Sequence, residues 1–275
     1  MEHANREHAR AVAERTALRL AEIEGVVGVA LGGSHATGRA TDDSDVDLGI
    51  YYRTAAPPPR AALNALARDL DDAHRDDLVT RLGAWGPWVN GGAWTVVEGR
   101  PVDWLLRNLE AVESAIDAAC AGRFTRGYSL GHPHGFLSTI YLAEVDACVP
   151  LADPEGAIAA LKGRTRPYPA ALKRELIAHF LFEAEFSCGI ARKPADRGDV
   201  AYVHGVLYRA VACLTQVLFA LNECYCMNEK GAVAVAASLP LAPERFDRKV
   251  ALLFDGSRAP DRAAALIEEV RALVP

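Results

Sequence analysis

Residues 31–53 read LGGSHATGRATDDSDVDLGIYYR, and the fold is decided by how the second half of that stretch alternates. Asp45, Asp47 and Gly49 interleave with Val46, Leu48 and Ile50, the period-two pattern of a strand whose successive side chains leave by opposite faces. Residues two apart share a face with Cα atoms roughly 6.5 Å apart. The two carboxylates therefore converge on one side while the aliphatic side chains enter a core on the other. Ionised carboxylates at that spacing repel, and burial raises their pKa values further. A hard divalent cation removes the penalty, and magnesium takes oxygen ligands in octahedral geometry. A solvated surface loop accounts for Asp42 and Asp43. It does not account for acidic residues interleaved with aliphatic ones.

Upstream, Val26–Leu31 is a short apolar run bounded by Gly25 and Gly32-Gly33, as a buried strand would be. Residues 5–22 carry Ala, Val and Leu at helical spacing. Gly33-Ser34 lies at the strand exit, where a short helix can begin over His35 to Arg39. Glycine permits close backbone approach, and a helix N-terminus offers N–H groups to phosphate oxygens. Ser34 adds a hydroxyl. The combination can cradle the terminal phosphates of an NTP while Asp45 and Asp47 hold its magnesium. Arg39 can meet the same phosphates or form a surface ion pair with Asp42 or Asp43. Downstream, Pro57 to Pro59 break the chain before a helix over roughly 60–73. Thr95-Val96-Val97 reads as a third strand and Val102 to Leu106 as a fourth, joined by Glu98-Gly99-Arg100. Pro101 is tolerated at the beginning of a strand but not in its middle.

Gly-Ser followed about ten residues later by Asp-x-Asp resembles the signature of the nucleotidyltransferase superfamily that includes DNA polymerase beta and kanamycin nucleotidyltransferase. The resemblance rests on residues 31–53 and 101–106. It implies a third carboxylate from a later strand, and Asp103 occupies the matching place. By the same resemblance Asp45 and Asp47 are metal ligands, and Asp103 binds a second metal, acts as general base, or both. Glu98 competes for the third position but falls in a turn, so Asp103 is favoured. Related small-molecule transferases also draw basic groups from a helical domain, which makes Lys230 in Met-Asn-Glu-Lys-Gly (227–231) a triphosphate candidate. The plainer reading of Lys230 is a helix C-terminus capped by Asn228 or Gly231.

After about residue 108 the pattern turns helical. Val203, Leu207, Val211, Leu214, Leu218 and Leu221 form an apolar stripe in a helix read from Val200 to about Tyr225. Further helices are read near 154–162, 168–191, 243–254 and 260–273. The expected architecture is α+β, a polymerase-beta-like N-terminal mixed sheet with flanking helices followed by a helical domain. The domains expected are 1–130 (catalytic) and 131–275 (helical). Trp104 alternates with Asp103 and should enter the core; Trp85, Trp88 and Trp94 are read as packing residues. His132-Pro133-His134 is read as a structural turn, and Asp199 as an N-cap or first-turn acid.

The 275-residue chain is 51% hydrophobic and 24% charged, ordinary for a soluble globular protein. Net charge is −6 overall, −7 over residues 1–150 and +1 over 151–275, so long nucleic acid is disfavoured as a partner. All five lysines lie beyond residue 150. The six cysteines show neither a disulfide framework nor a paired zinc motif, and they are read as buried thiols. The polar N-terminus is not a secretory signal and no run suggests a membrane span. The expected location is cytoplasmic, and oligomeric state, homodimer included, stays open.

GxGxxG and P-loop sequences are absent, so kinase chemistry is disfavoured. The leading expectation is magnesium-dependent transfer of AMP from ATP to a hydroxyl of a small acceptor, as in aminoglycoside- or lincosamide-modifying relatives. Modification of a protein or tRNA end in a toxin–antitoxin setting, and a non-catalytic nucleotide-binding module, are the alternatives.

Overall fold

A computed structural model describes residues 2–255 and 258–275. In chain order the elements are α1 (Glu2–Ala21), β1 (Val26–Leu31), α2 (Gly33–Ala36), β2 (Val46–Tyr52), α3 (Arg60–Leu70), β3 (Gly92–Val97), β4 (Arg100–Asn108) and α4 (Leu109–Cys120). Then come β5 (Arg126–Ser129), β6 (His132–Leu137), α5 (Thr139–Ala147), β7 (Val149–Ala152), α6 (Ala157–Arg164), α7 (Ala170–Asp196) and α8 (Val200–Leu221). The chain ends with α9 (Ala232–Ala237), α10 (Phe246–Ala251) and α11 (Ala259–Arg271). It divides into two compact units, residues 1–116 with 144–167, and residues 117–143 with 168–275. The sequence suggested one cut near residue 130. The difference arises because β7 returns to pair with β1.

The first unit is a mixed five-stranded sheet in the order β3-β4-β2-β1-β7. Strands β2 and β4 run parallel, and the other neighbours are antiparallel. Alternation sorts the two faces. Val29, Leu31, Val46, Leu48, Ile50, Val102, Trp104 and Leu106 pack on α1 and α3 through Ala9, Val12, Ala13, Leu20, Leu63 and Leu66. Trp104 is 1% exposed, as its alternation with Asp103 requires. Pro101 lies ahead of the β2 pairing, which begins at Val46 opposite Val102, so its missing N–H breaks no parallel rung. Glu98 and Gly99, both at positive φ, make the tight turn between β3 and β4.

Polar groups tie this sheet to the elements around it. The Asp71 carboxylate, fully buried, accepts from the Arg75 guanidinium and from the N–H groups of Arg75 and Val96. Those bonds hold its pKa well below the usual carboxylate range. They also end α3 at Leu70, short of the expected residue 73. On the sheet face away from α1, Arg107 of β4 forks onto Glu144 of α5 at 2.8 and 2.7 Å.

The second unit is built on α7 and α8, with α11 against both, and with the β5–β6 hairpin. Helix α8 is apolar enough by length and composition to cross a membrane, and most of it is buried within this unit. Its N-cap is Asp199, whose side chain accepts from the Tyr202 N–H. It ends at Leu221, four residues before the expected end, where the Asn222 amide turns back to the Leu218 carbonyl and out to Leu241. Gly231 caps the start of α9 rather than the end of α8. The hairpin occupies the segment read as a turn around His132 and His134.

Glu183 of α7, nearly buried, accepts from Arg126 at 2.9 Å and from Arg209, with His179 at 3.4 Å. Glu183→Gln removes the charge these guanidinium groups face. The expected cost is about 2 kcal/mol, or about 4–8 °C in thermal midpoint. Calorimetry checks it, and an unchanged midpoint would mean that solvent already balances both arginines.

Candidate active site

The pairing of β2 with β4 sets Asp47 directly opposite Asp103 in parallel register. Neighbouring strands lie roughly 4.8 Å apart, so the two carboxylates rise side by side from one sheet face. Asp45 stands one residue before β2, two positions from Asp47. The Asp45 charge bears on both of the others, and that of Asp47 on Asp103. Burial first, then Asp45, pushes the Asp47 carboxyl up to about 6, with Glu144 adding to the rise and Arg107 opposing it. Burial, then Asp47 and Asp45, pushes the Asp103 carboxyl up to about 6 as well. Arg107, the guanidinium that opposes the rise at Asp47, is already paired with Glu144. A cluster of hard oxygen donors with more negative charge than its surroundings neutralise fits a divalent cation such as magnesium.

Gly33 shapes the neighbouring wall. It sits at φ +57°, and a Cβ there would lie 1.8 Å from the Asp47 Oδ2 atom. Only glycine leaves that volume to the carboxylate. The Gly32 N–H donates to the Asp47 carbonyl at 2.8 Å, extending the β1–β2 ladder to the start of the α2 turn. Gly33 and Ser34 are the first two residues of that turn, whose leading N–H groups have no intrahelical acceptor. The Thr37 hydroxyl closes the turn onto the carbonyls of Gly33 and Ser34.

The other expected site residues fall as follows. Arg39 is exposed, its N–H bonded to the Ser34 carbonyl at 2.9 Å. Asp42 is engaged by the Asn5 amide at 2.8 Å. Glu98 is held by Arg15 at 2.5 Å, consistent with a turn residue rather than a third site carboxylate. Lys230 is an exposed residue of the second unit, with its N–H on the Asn228 side chain.

Two groups were not legible beforehand. Arg6, Arg10 and His35 line a cavity of about 130 Å³ on the α1 side of the Gly33–Ala36 turn. The i, i+4 spacing of the arginines was the available signal. Trp94 is 59% exposed and pairs across β3 and β4 with Asp103. It is therefore on the carboxylate face, not packed as expected.

Among the described residues, the group whose metal-ligating atoms all lie within 4.8 Å of one another is His134, Glu183 and Cys213 in the second unit. The three aspartates are more open. Arg126 donates to both His134 and Glu183, and Arg209 donates to Glu183. Burial, first, and Arg126 hold the His134 pKa down to about 4. Two guanidinium groups already supply the positive charge a metal would bring, so this is an ion-pair network. Of the cysteines, Cys148, Cys188, Cys213 and Cys226 are buried, but Cys120 is exposed, against expectation.

Residues 13–86 match the family model of the nucleotidyltransferase domain, a span that includes Gly33, Ser34, Asp45 and Asp47 and stops before Asp103. Residues 137–230 match that of a domain of unknown function, DUF4037. No curated protein matches the chain. A nucleotidyltransferase-like protein from Exiguobacterium sibiricum 255-15, known from its crystal structure, aligns over 98% of this chain and 73% of its own. The identity is 10% and the TM-score 0.42, a likeness that says nothing about function. Gly33-Ser34 and Asp45-x-Asp47 both lie inside the matched segment, so residues 13–86 resemble the nucleotidyltransferase domain at the residues that carry its motif.

Proposed function

We propose that the protein transfers a nucleoside monophosphate, AMP from ATP, to a hydroxyl of a small acceptor and releases pyrophosphate. The observation that carries this reading is the in-register pair Asp47 and Asp103, with Asp45 beside them and Gly33 against Asp47. Asp45, Asp47 and Asp103 would hold magnesium. That ion supplies charge stabilisation on the phosphate oxygens when bound.

The chain's own groups do the rest. The Asp103 carboxylate takes the proton of the acceptor hydroxyl as its oxygen bonds to the α-phosphorus. The bond from that phosphorus to the oxygen bridging to the β-phosphate breaks, and pyrophosphate leaves with the electron pair. The Gly33 and Ser34 N–H groups and the Ser34 hydroxyl orient the β- and γ-phosphates, with Arg39 as the assigned basic contact in this unit. The acidic balance of residues 1–150, −7, favours a cationic acceptor over a polyanionic one.

The test is pyrophosphate release from each NTP with magnesium, against a panel of hydroxylated acceptors. ATP is expected to give the highest rate, and chelation by EDTA to stop it. A protein that binds Mg–ATP but releases no pyrophosphate with any acceptor is a nucleotide-binding module instead.

A further inference from the structure

We infer that the stacked indoles of Trp85 and Trp94 are the acceptor wall of this site, against which a hydroxylated ring compound lays its apolar face. The inference rests on the nucleotidyltransferase reading and adds to it the side from which the acceptor comes and the kind of surface it must present.

Sheet order lays the parts out in a row. Trp94 on β3 is paired with Asp103 on β4, and Asp103 with Asp47 on β2. The Gly33–Ala36 turn follows β1, the next strand along. With neighbouring strands roughly 4.8 Å apart, the row runs from indole through two carboxylates to the phosphate cradle. Phosphoryl and nucleotidyl displacements place the attacking and leaving oxygens roughly in line on opposite sides of the phosphorus. Pyrophosphate leaving over Gly33 and Ser34 therefore requires the hydroxyl to arrive from the β4–β3 side. That is the side of Asp103 and Trp94.

The indole pair is built rather than incidental. Ala93 and Thr95 on either side of Trp94 are buried on the opposite face, while Trp94 itself is 59% exposed. Trp85 stacks on it with ring centroids 4.6 Å apart and planes 28° from parallel. The segment that carries Trp85 is tied down at its base, with the Thr80 N–H on the Gly92 carbonyl at 2.9 Å and the Gly92 N–H on the Thr80 hydroxyl at 3.0 Å. A Cβ on Gly92 would collide with the Trp104 carbonyl and also meet the Trp85 ring at 2.8 Å, so the ring packs directly on the β3 backbone there. An exposed indole face beside acidic groups suits the C–H face of a sugar or cyclitol ring, and amino substituents gain a cation–π contact.

The experiment compares wild type with Trp94→Ala, Trp94→Phe and Trp85→Ala. Calorimetry gives the affinity for Mg–α,β-methylene-ATP. Pyrophosphate release and tryptophan emission are followed with kanamycin, lincomycin, myo-inositol and adenosine as acceptor probes. Nucleotide affinity is expected to stay within about twofold in every variant. The kcat/KM for the acceptor should fall at least about tenfold in both alanine variants and recover largely in Trp94→Phe. A tenfold loss of nucleotide affinity with acceptor KM unchanged would assign the indoles to the nucleobase and overturn the inference. So would wild type that binds nucleotide while no probe is turned over or alters its emission, and so would alanine variants with unchanged kinetics. Wild type that binds no Mg–nucleotide overturns the underlying transferase reading, and the acceptor wall with it.

Discussion

Asp47→Asn is expected to lower nucleotidyl transfer by at least about 10³-fold while making the metal-free protein more stable at neutral pH. Loss of activity follows from removing the carboxylate that faces both Asp103 and the Gly33 turn. The stability gain follows from linkage. Burial and the neighbouring acids raise the Asp47 carboxyl to about 6 in the folded protein, from an ordinary 3.8. Between those values the folded state holds a proton the unfolded chain has released, so metal-free stability falls as pH rises through that window. The penalty is fully present above it. A shift of that size is worth at most about 3 kcal/mol, and screening by solvent at a partly open site reduces it to about 1 kcal/mol.

Asparagine removes the penalty, so thermal scans at pH 8 in EDTA should place the variant about 2–4 °C above wild type. Added magnesium should raise the wild-type midpoint and leave that of the variant unchanged. Near-wild-type turnover in Asp47→Asn contradicts the metal assignment. A lowered midpoint in EDTA would mean that Asp47 is a structural hydrogen-bonding group instead.

Gly33→Ala is expected to cost at least about 10²-fold in turnover, because a displacement near 1 Å of a reacting group has that scale of effect. The added methyl would sit 1.8 Å from the Asp47 Oδ2 atom and 2.7 Å from its Cγ, at a residue with φ +57°. Either the carboxylate swings away from Asp103 or the turn opens. Gly38→Ala is the control. Its φ is +72°, and a Cβ there meets nothing within 4 Å. Backbone strain alone should then cost about 1 kcal/mol of stability and leave turnover within about threefold of wild type. Equal losses in both variants would show that the φ requirement, not the contact with Asp47, is what matters at Gly33.

The same residues show how far the chain could be read from its letters. Alternation from Asp45 to Ile50 assigned a polar and an apolar face to β2, and the observed strand sorts them that way. Trp104 entered the core for the same reason. Strand β7, Val149 to Ala152, has four residues, one of them proline, and no alternation to announce it. The hairpin Arg126–Leu137 is punctuated by glycine and histidine and resembles a loop in composition. The sequence reads Trp94 as a packing residue because tryptophans more often pack than bind. Its exposure depends on β3 lying at the sheet edge, with the core on the other face. The Glu183 network joins Arg126, His179 and Arg209, residues from separate elements that share no motif.

What the amino-acid order determined by itself was local: strand faces from a period of two and helices from a period near four. Which strands become neighbours, and in what register, was decided only in three dimensions. Asp47 and Asp103 are more than fifty residues apart. Their meeting depends on the α3 crossover and on hydrogen bonds between distant segments, and no pattern within either strand encodes that pairing.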